Sequence, residues 1–340
     1  MARRRVSGRG DGGRGRLSSR AIQALAALAI SAALSASAGA APRPPRPEKQ
    51  PPRPEINLPP VAERAIAQIY EGDPAAALAA AQQMEKEQPD QPLGYLIEAE
   101  ARWWQLYCQQ SEVRYGMVDF WELSQGTESG PYLAAAGRAA ALGEQELKKG
   151  ETAQAQLWAG MGYALEARMY GIQGKKLATA RAGVQAREHL MRAIALDPGL
   201  ADADTGLGLY NYYVDTLSPI VKLLRIFLGI PGGSKQQGVR QLRTAMERGR
   251  ITDVEARFYL AKNLRTYDHD YAGALSVAEP LERQYPGNPI FLLLVGNLEM
   301  ELGRKEQAAA ILGRIDSLKI SDAACADRSR RLARELLGEK

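Results

Sequence analysis

The chain has 340 residues, 45% hydrophobic and 24% charged, with 2 Cys and 2 His. This is the composition of a folded globular protein, and it argues against a disordered chain, a cysteine-stapled scaffold and a structural zinc or haem centre. The net charge of +5 is not a basic surface: seven arginines and one aspartate give the first 40 residues +6 and leave −1 for the rest, so no nucleic-acid partner is expected.

Residues 1–40 read as a signal peptide. An Arg-rich start precedes an apolar run from Ala21 to Leu34, and Ala36-Ser37-Ala38 and Ala38-Gly39-Ala40 both offer small-x-small cleavage sites. The run is 14 residues, short of the ~20 that span a bilayer. Cleavage is the first reading and retention as an anchor the second; either way the protein is exported and is periplasmic or envelope-associated. Residues 41–60 hold nine of the 19 prolines. Proline lacks the amide donor and fixes φ, so this stretch predicts an extended, disordered linker.

From residue 61 the apolar spacing is helical and 34-residue offsets recur. Ala274 to Ala308 is 34 residues, as is Ala278 to Leu312. Small residues in first helices (Gly162, Gly208, Gly296) face small residues in second helices (Ala77, Ala186, Gly238, Ala274, Ala308), and prolines end the pairs. Two units carry insertions, the longer at residues 214–232. Its apolar run Ile220–Ile230, with Lys222 and Arg225 on one side, predicts an amphipathic helix that covers neighbouring surface, meets a partner or touches a membrane. No period-2 stretch predicts a strand. Thr252-Asp-Val-Glu255 predicts a capping box, and Asp270 and Ser234 predict helix N-caps. Ser321–Leu337 predicts a solvating terminal helix.

These residues resemble the tetratricopeptide repeat family. Gly206-Leu-Gly-Leu-Tyr-Asn-Tyr-Tyr213, Gly232-Gly233 and Tyr285-Pro-Gly-Asn-Pro289 resemble an exported bacterial branch of that family, with more distant similarity to a mitochondrial outer-membrane family. The turn Pro231-Gly-Gly-Ser is weakly similar to the repeat component of periplasmic solute transporters. The resemblance implies an all-α, right-handed solenoid of about six helix pairs plus a C-terminal capping helix over residues 61–340. It implies no catalytic residues.

The chemical constellations are weak. Asp268-His269-Asp270 reads as a turn, because a metal site wants three or four ligands. Gly229–Lys235 lacks the spacing of a phosphate loop. Cys108 and Cys325 lie 217 positions apart along a stack of helices, so two buried thiols are expected instead of a disulfide. No cofactor and no metal is expected. Trp103, Trp104, Tyr107, Tyr115, Phe120 and Trp121 crowd a segment without repeat consensus, and adjacent aromatics cannot all face one core.

The functional expectation is a non-enzymatic scaffold binding another exported protein or peptide on its concave face. The family frame turns Tyr163, Glu166, Tyr212, Tyr213, Asn263, Tyr267 and Asn297 inward, where asparagines can clamp a peptide backbone through both halves of the amide. The alternative is a small-solute or lipid carrier, its pocket bordered by Trp103, Trp104 and Phe227. Membrane contact is open only to an uncleaved leader or residues 218–230.

Overall fold

The computed structural model describes residues 56, 58–218, 222, 226 and 229–338. The leader, most of the proline linker, and residues 219–221, 223–225, 227 and 228 of the 214–232 insertion, Phe227 among them, lie outside the described residues. Among those described, the protein is all-α apart from one hairpin. The helices are α1 (Pro60–Glu71), α2 (Pro74–Glu87), α3 (Pro92–Gln110), α4 (Gly130–Lys149), α5 (Ala153–Ile172), α6 (Lys176–Leu196) and α7 (Ala203–Thr216). After the insertion come α8 (Lys235–Arg248), α9 (Asp253–Asn263), α10 (Tyr271–Gln284), α11 (Pro289–Glu301), α12 (Lys305–Gly313) and α13 (Ala323–Leu337). A π turn, Leu264–Asp268, extends α9.

Local chemistry sets the boundaries. Proline opens α1, α2, α3, α4 and α11, where its missing amide hydrogen costs no bond. Ser234 and Asp270 cap α8 and α10 as expected, and Asp73 caps α2, each accepting from a backbone amide three residues on. The capping box does not form. Thr252 Oγ1 turns instead to Asp202, whose buried carboxylate also accepts from the amides of Arg250, Ile251 and Thr252 at 2.8–3.0 Å. Glu255 is thereby released to bind Arg168.

Among the described residues, successive helices pack on one another. Gly208 and Gly238 meet as expected, so that a Cβ on Gly238 would fall 2.6 Å from the Gly208 carbonyl oxygen. Gly162 departs from expectation. It faces Ala140 of α4, where an added Cβ would lie 2.5 Å from the backbone nitrogen, and not Ala186 of α6.

Two features depart from a linear stack. The segment between α3 and α4 forms an antiparallel hairpin, β1 (Glu112–Arg114) and β2 (Met117–Asp119), turned by Tyr115 and Gly116, both at positive φ. No alternating pattern announced it, because β2 is buried at all three positions. The terminal helix α13 does not merely solvate an end: it returns to α3, where Cys108 and Cys325 form a disulfide with Cα atoms 5.1 Å apart. The expected pair of free thiols is corrected by this return, since distance along the sequence does not measure distance across a closed arrangement.

Helix α3 also touches α1, α5 and α13, so it is buried around most of its circumference. Trp103 and Trp104 are accordingly both 2% exposed, although adjacent. Trp103 stacks on Phe120 and Trp104 meets Phe258 at a tilt, with centroids 5.3 and 5.0 Å apart. Tyr70, Tyr107, Tyr132 and Phe291 complete this aromatic core, in which each ring pair adds about 0.5–1.5 kcal/mol beyond its burial. The linker also ends sooner than expected, since Ile56 and Leu58 are buried in the same core.

Candidate functional site

Five of the seven expected binding residues gather around the C-terminal end of α9 and its π turn. A π turn inserts one residue into the helical ladder and reorients the side chains that follow it. Asn263, the last residue of α9, is fully buried. Its Oδ1 accepts from the Tyr213 hydroxyl at 3.0 Å, and its carbonyl accepts from the Tyr212 hydroxyl at 3.2 Å. Tyr267, from the π turn, lies over both, with ring centroids 5.9 Å from Tyr212 and 6.0 Å from Tyr213. Tyr267 remains 48% exposed, whereas Tyr212 is closed off.

Charge frames this tyrosine trio. Asp268 accepts from the Tyr212 hydroxyl at 2.9 Å and pairs with Lys235, the first residue of α8. The Lys235 ammonium also sits 5.4 Å from the centre of the Tyr212 ring. Burial, with help from the neighbouring Tyr267 phenol, pushes the Tyr213 hydroxyl well above its usual range, so all three phenols stay neutral donors.

Asn297 of α11 belongs to the same network through Arg265. It is fully buried and binds backbone with both halves of its amide: Nδ2 donates to the Gly116 carbonyl at 2.8 Å, and Oδ1 accepts from the Val118 amide at 3.2 Å. The expected two-point clamp is therefore present, but it holds the chain's own hairpin. Arg265 also donates to Asn297 Oδ1 at 3.1 Å and reaches Asp119 at 3.4 Å. Lys262 meets the other oxygen of Asp119 at 3.0 Å, and Tyr107 donates to it at 3.0 Å. The arrangement fills with native chain the side on which a partner peptide was expected, so Asn263 and Asn297 are core nodes and not surface contacts.

Tyr163 and Glu166 are not brought to this site. Tyr163 stacks on His189 at 5.5 Å and donates to Glu144 at 3.3 Å, on the α4–α6 side. Glu166 lies beside Gly137 of α4, and partial burial raises its carboxyl. The expected aromatic pocket is not formed by Trp103 and Trp104, which are enclosed by other rings. Two small cavities lie in the core, of about 10 and 30 Å³, against the 300–1,000 Å³ of a drug-sized ligand site. Asp270 is spent as a helix cap, Asp268 on Lys235 and Tyr212, and among the described residues no three metal-binding side chains converge.

Sequence reasoning missed Asp119, Lys262 and Arg265. Lys262 was visible only as a departure from the glycine that the repeat pattern favours. Asp119 carried no signal, because its cationic partners Lys262 and Arg265 lie more than 140 positions away. No protein-family model and no curated protein matches this sequence.

Proposed function

We propose that this chain is an exported, non-catalytic binding scaffold. In this reading it is a tetratricopeptide-like array, wound as a right-handed solenoid of six helix pairs and a terminal helix. Thirteen described helices packed in chain order support that count. The Cys108–Cys325 disulfide supports export, because such bonds persist in oxidising compartments.

The observation that carries the binding role is Tyr267. It is a large aromatic side chain, 48% exposed, seated on two tyrosines whose hydroxyls are fixed by Asn263 and Asp268. An exposed ring on a rigid base binds with little loss of conformational entropy, and aromatic anchors of this kind dominate protein interfaces. The partner is another exported protein or peptide. It meets the rim formed by Tyr213, Tyr267 and Lys235, since the chain's own hairpin takes the Asn297 clamp.

The test is affinity capture from the native envelope fraction with wild type and Tyr267→Ala. A stoichiometric partner should be retained by wild type and lost by the variant, whose melting temperature should stay within about 2 °C because only a half-exposed ring is removed. A partner retained equally by both proteins would move the binding surface elsewhere. The carrier reading lacks a comparable observation.

A further inference from the structure

The tyrosine rim leaves unused a second cluster of charge. Glu100 of α3, Arg168 of α5 and Glu255 of α9 meet between three helices, each side chain 12–13% exposed. Arg168 spans the two carboxylates, with Nη1 2.8 Å from Glu255 and Nη2 on Glu100. Its Nε donates to the Tyr132 hydroxyl at 3.1 Å, and its guanidinium lies 4.3 Å from the centre of the Trp103 ring. Trp104 Nε1 donates to Glu100 at 2.8 Å. One guanidinium faces two carboxylates, so the cluster carries one negative charge in excess only when both carboxylates are ionised.

A cavity of about 30 Å³ opens on this cluster. Its walls are apolar and include Ile66 and Ile69 of α1, Leu96 and Ile97 of α3, and Met161 and Leu165 of α5. Glu100 and Glu255 supply its acidic groups, and together with Ile66 and Met161 they are the lining residues that solvent reaches. Glu255 bonds Arg168 through Oε1, and among the described residues its Oε2 makes no hydrogen bond. The other titratable groups around Glu255 are the phenols of Tyr70, Tyr132 and Tyr259, held neutral by burial, and the more distant Asp253.

We propose that this cavity binds a primary ammonium group carried on a short apolar stem. The space admits the ammonium head and about one methylene. The head donates to Glu255 Oε2, and the stem leaves past Ile66 and Met161. An ammonium is the matching group because it is a compact cation with three donors, whereas the planar guanidinium position is already filled by Arg168. Burial and the adjacent Glu100 push the Glu255 carboxyl up to about 8, so the empty site holds a proton at neutral pH. Binding therefore exchanges that proton for the ammonium and releases it to solvent. The same chemistry is offered by a free alkylamine and by the lysine side chain of a partner segment. This inference does not depend on the tyrosine rim.

The test titrates the full chain with n-butylammonium, with n-butanol as the uncharged isostere and with Nα-acetyl-lysine amide as the side-chain mimic. Trp103 and Trp104 touch the cluster and report binding by fluorescence; calorimetry in two buffers reports proton release. Butylammonium should bind at least tenfold more tightly than butanol. Its affinity should rise close to tenfold between pH 6.5 and 7.5 and flatten above about 8, where Glu255 is ionised and the amine still charged. Glu255→Gln, which keeps the bond to Arg168, should abolish both the preference and the pH dependence. Lysine amide binding as tightly as butylammonium assigns the site to a partner lysine, and markedly weaker binding assigns it to a free amine. Equal binding of amine and alcohol, a pH-independent affinity, full retention in Glu255→Gln, or no binding of either amine overturns the proposal.

Discussion

Asn297 holds Gly116 across 181 positions of sequence, its Nδ2 donating to the glycine carbonyl at 2.8 Å while its Oδ1 accepts from Val118. One side chain thus docks the hairpin onto α11 and turns an interhelical surface into core. Removing it leaves the buried Val118 amide and part of the buried Arg265 guanidinium without a partner, while the Gly116 carbonyl, at an exposed turn, turns to solvent. Each such orphaned group costs about 1–3 kcal/mol. Asn297→Ala should therefore lose at least about 2 kcal/mol in urea unfolding. A loss below 1 kcal/mol would mean that the hairpin is not held here.

The disulfide ties the last helix to the third and closes a loop of more than two hundred residues. Cross-links of this kind stabilise by about 2–5 kcal/mol, chiefly by restricting the unfolded chain. The native oxidised protein should show no free thiol on denaturation, since it has only 2 Cys. Reduction, or replacement of both cysteines by serine, should lower the unfolding midpoint. Two titratable thiols in protein isolated from its own compartment would contradict both the bond and the oxidising location.

Stability should depend on pH through Glu255. Burial and Glu100 raise its folded-state pKa from 4.5 to about 8, so the folded protein binds more protons than the unfolded chain in that interval. The favourable contribution is complete below about 4.5, declines as pH climbs, and is gone above about 8. Glu85, raised to about 8 by burial and by the neighbouring Glu98, and Asp204, raised to about 6 by burial, act in the same direction. The Glu255 share is therefore read as a difference: Glu255→Gln should flatten the fall in unfolding free energy between pH 5 and 8. An unchanged slope would place the ionised carboxylate in the folded state throughout.

The helical class was legible because apolar periodicity, prolines and caps act locally. Asp270 and Ser234 cap helices for reasons contained within four residues. The capping box at Thr252 failed because Asp202, fifty positions earlier, takes both the Thr252 amide that Glu255 would have capped and the Thr252 hydroxyl. The hairpin was invisible because both faces of β2 are buried and periodicity needs one wet face. The disulfide was missed because chain separation was taken as spatial separation. The repeat register put Tyr212, Tyr213, Asn263 and Tyr267 in one set with Tyr163, Glu166 and Asn297, without saying which of them would touch. Whether each would face solvent or core was not legible, since that depended on where α3, the hairpin and α13 come to rest.

Site-specific photo-crosslinking tests the binding role most directly. A benzoylphenylalanine replacing Tyr267 is compared with one replacing Leu177, which is 55% exposed on α6 and belongs to no cluster described above. Irradiation in the native envelope should yield one dominant protein adduct from position 267 and none from position 177. Adducts at 177 with none at 267, or identical adducts at both, would contradict recognition through the tyrosine rim.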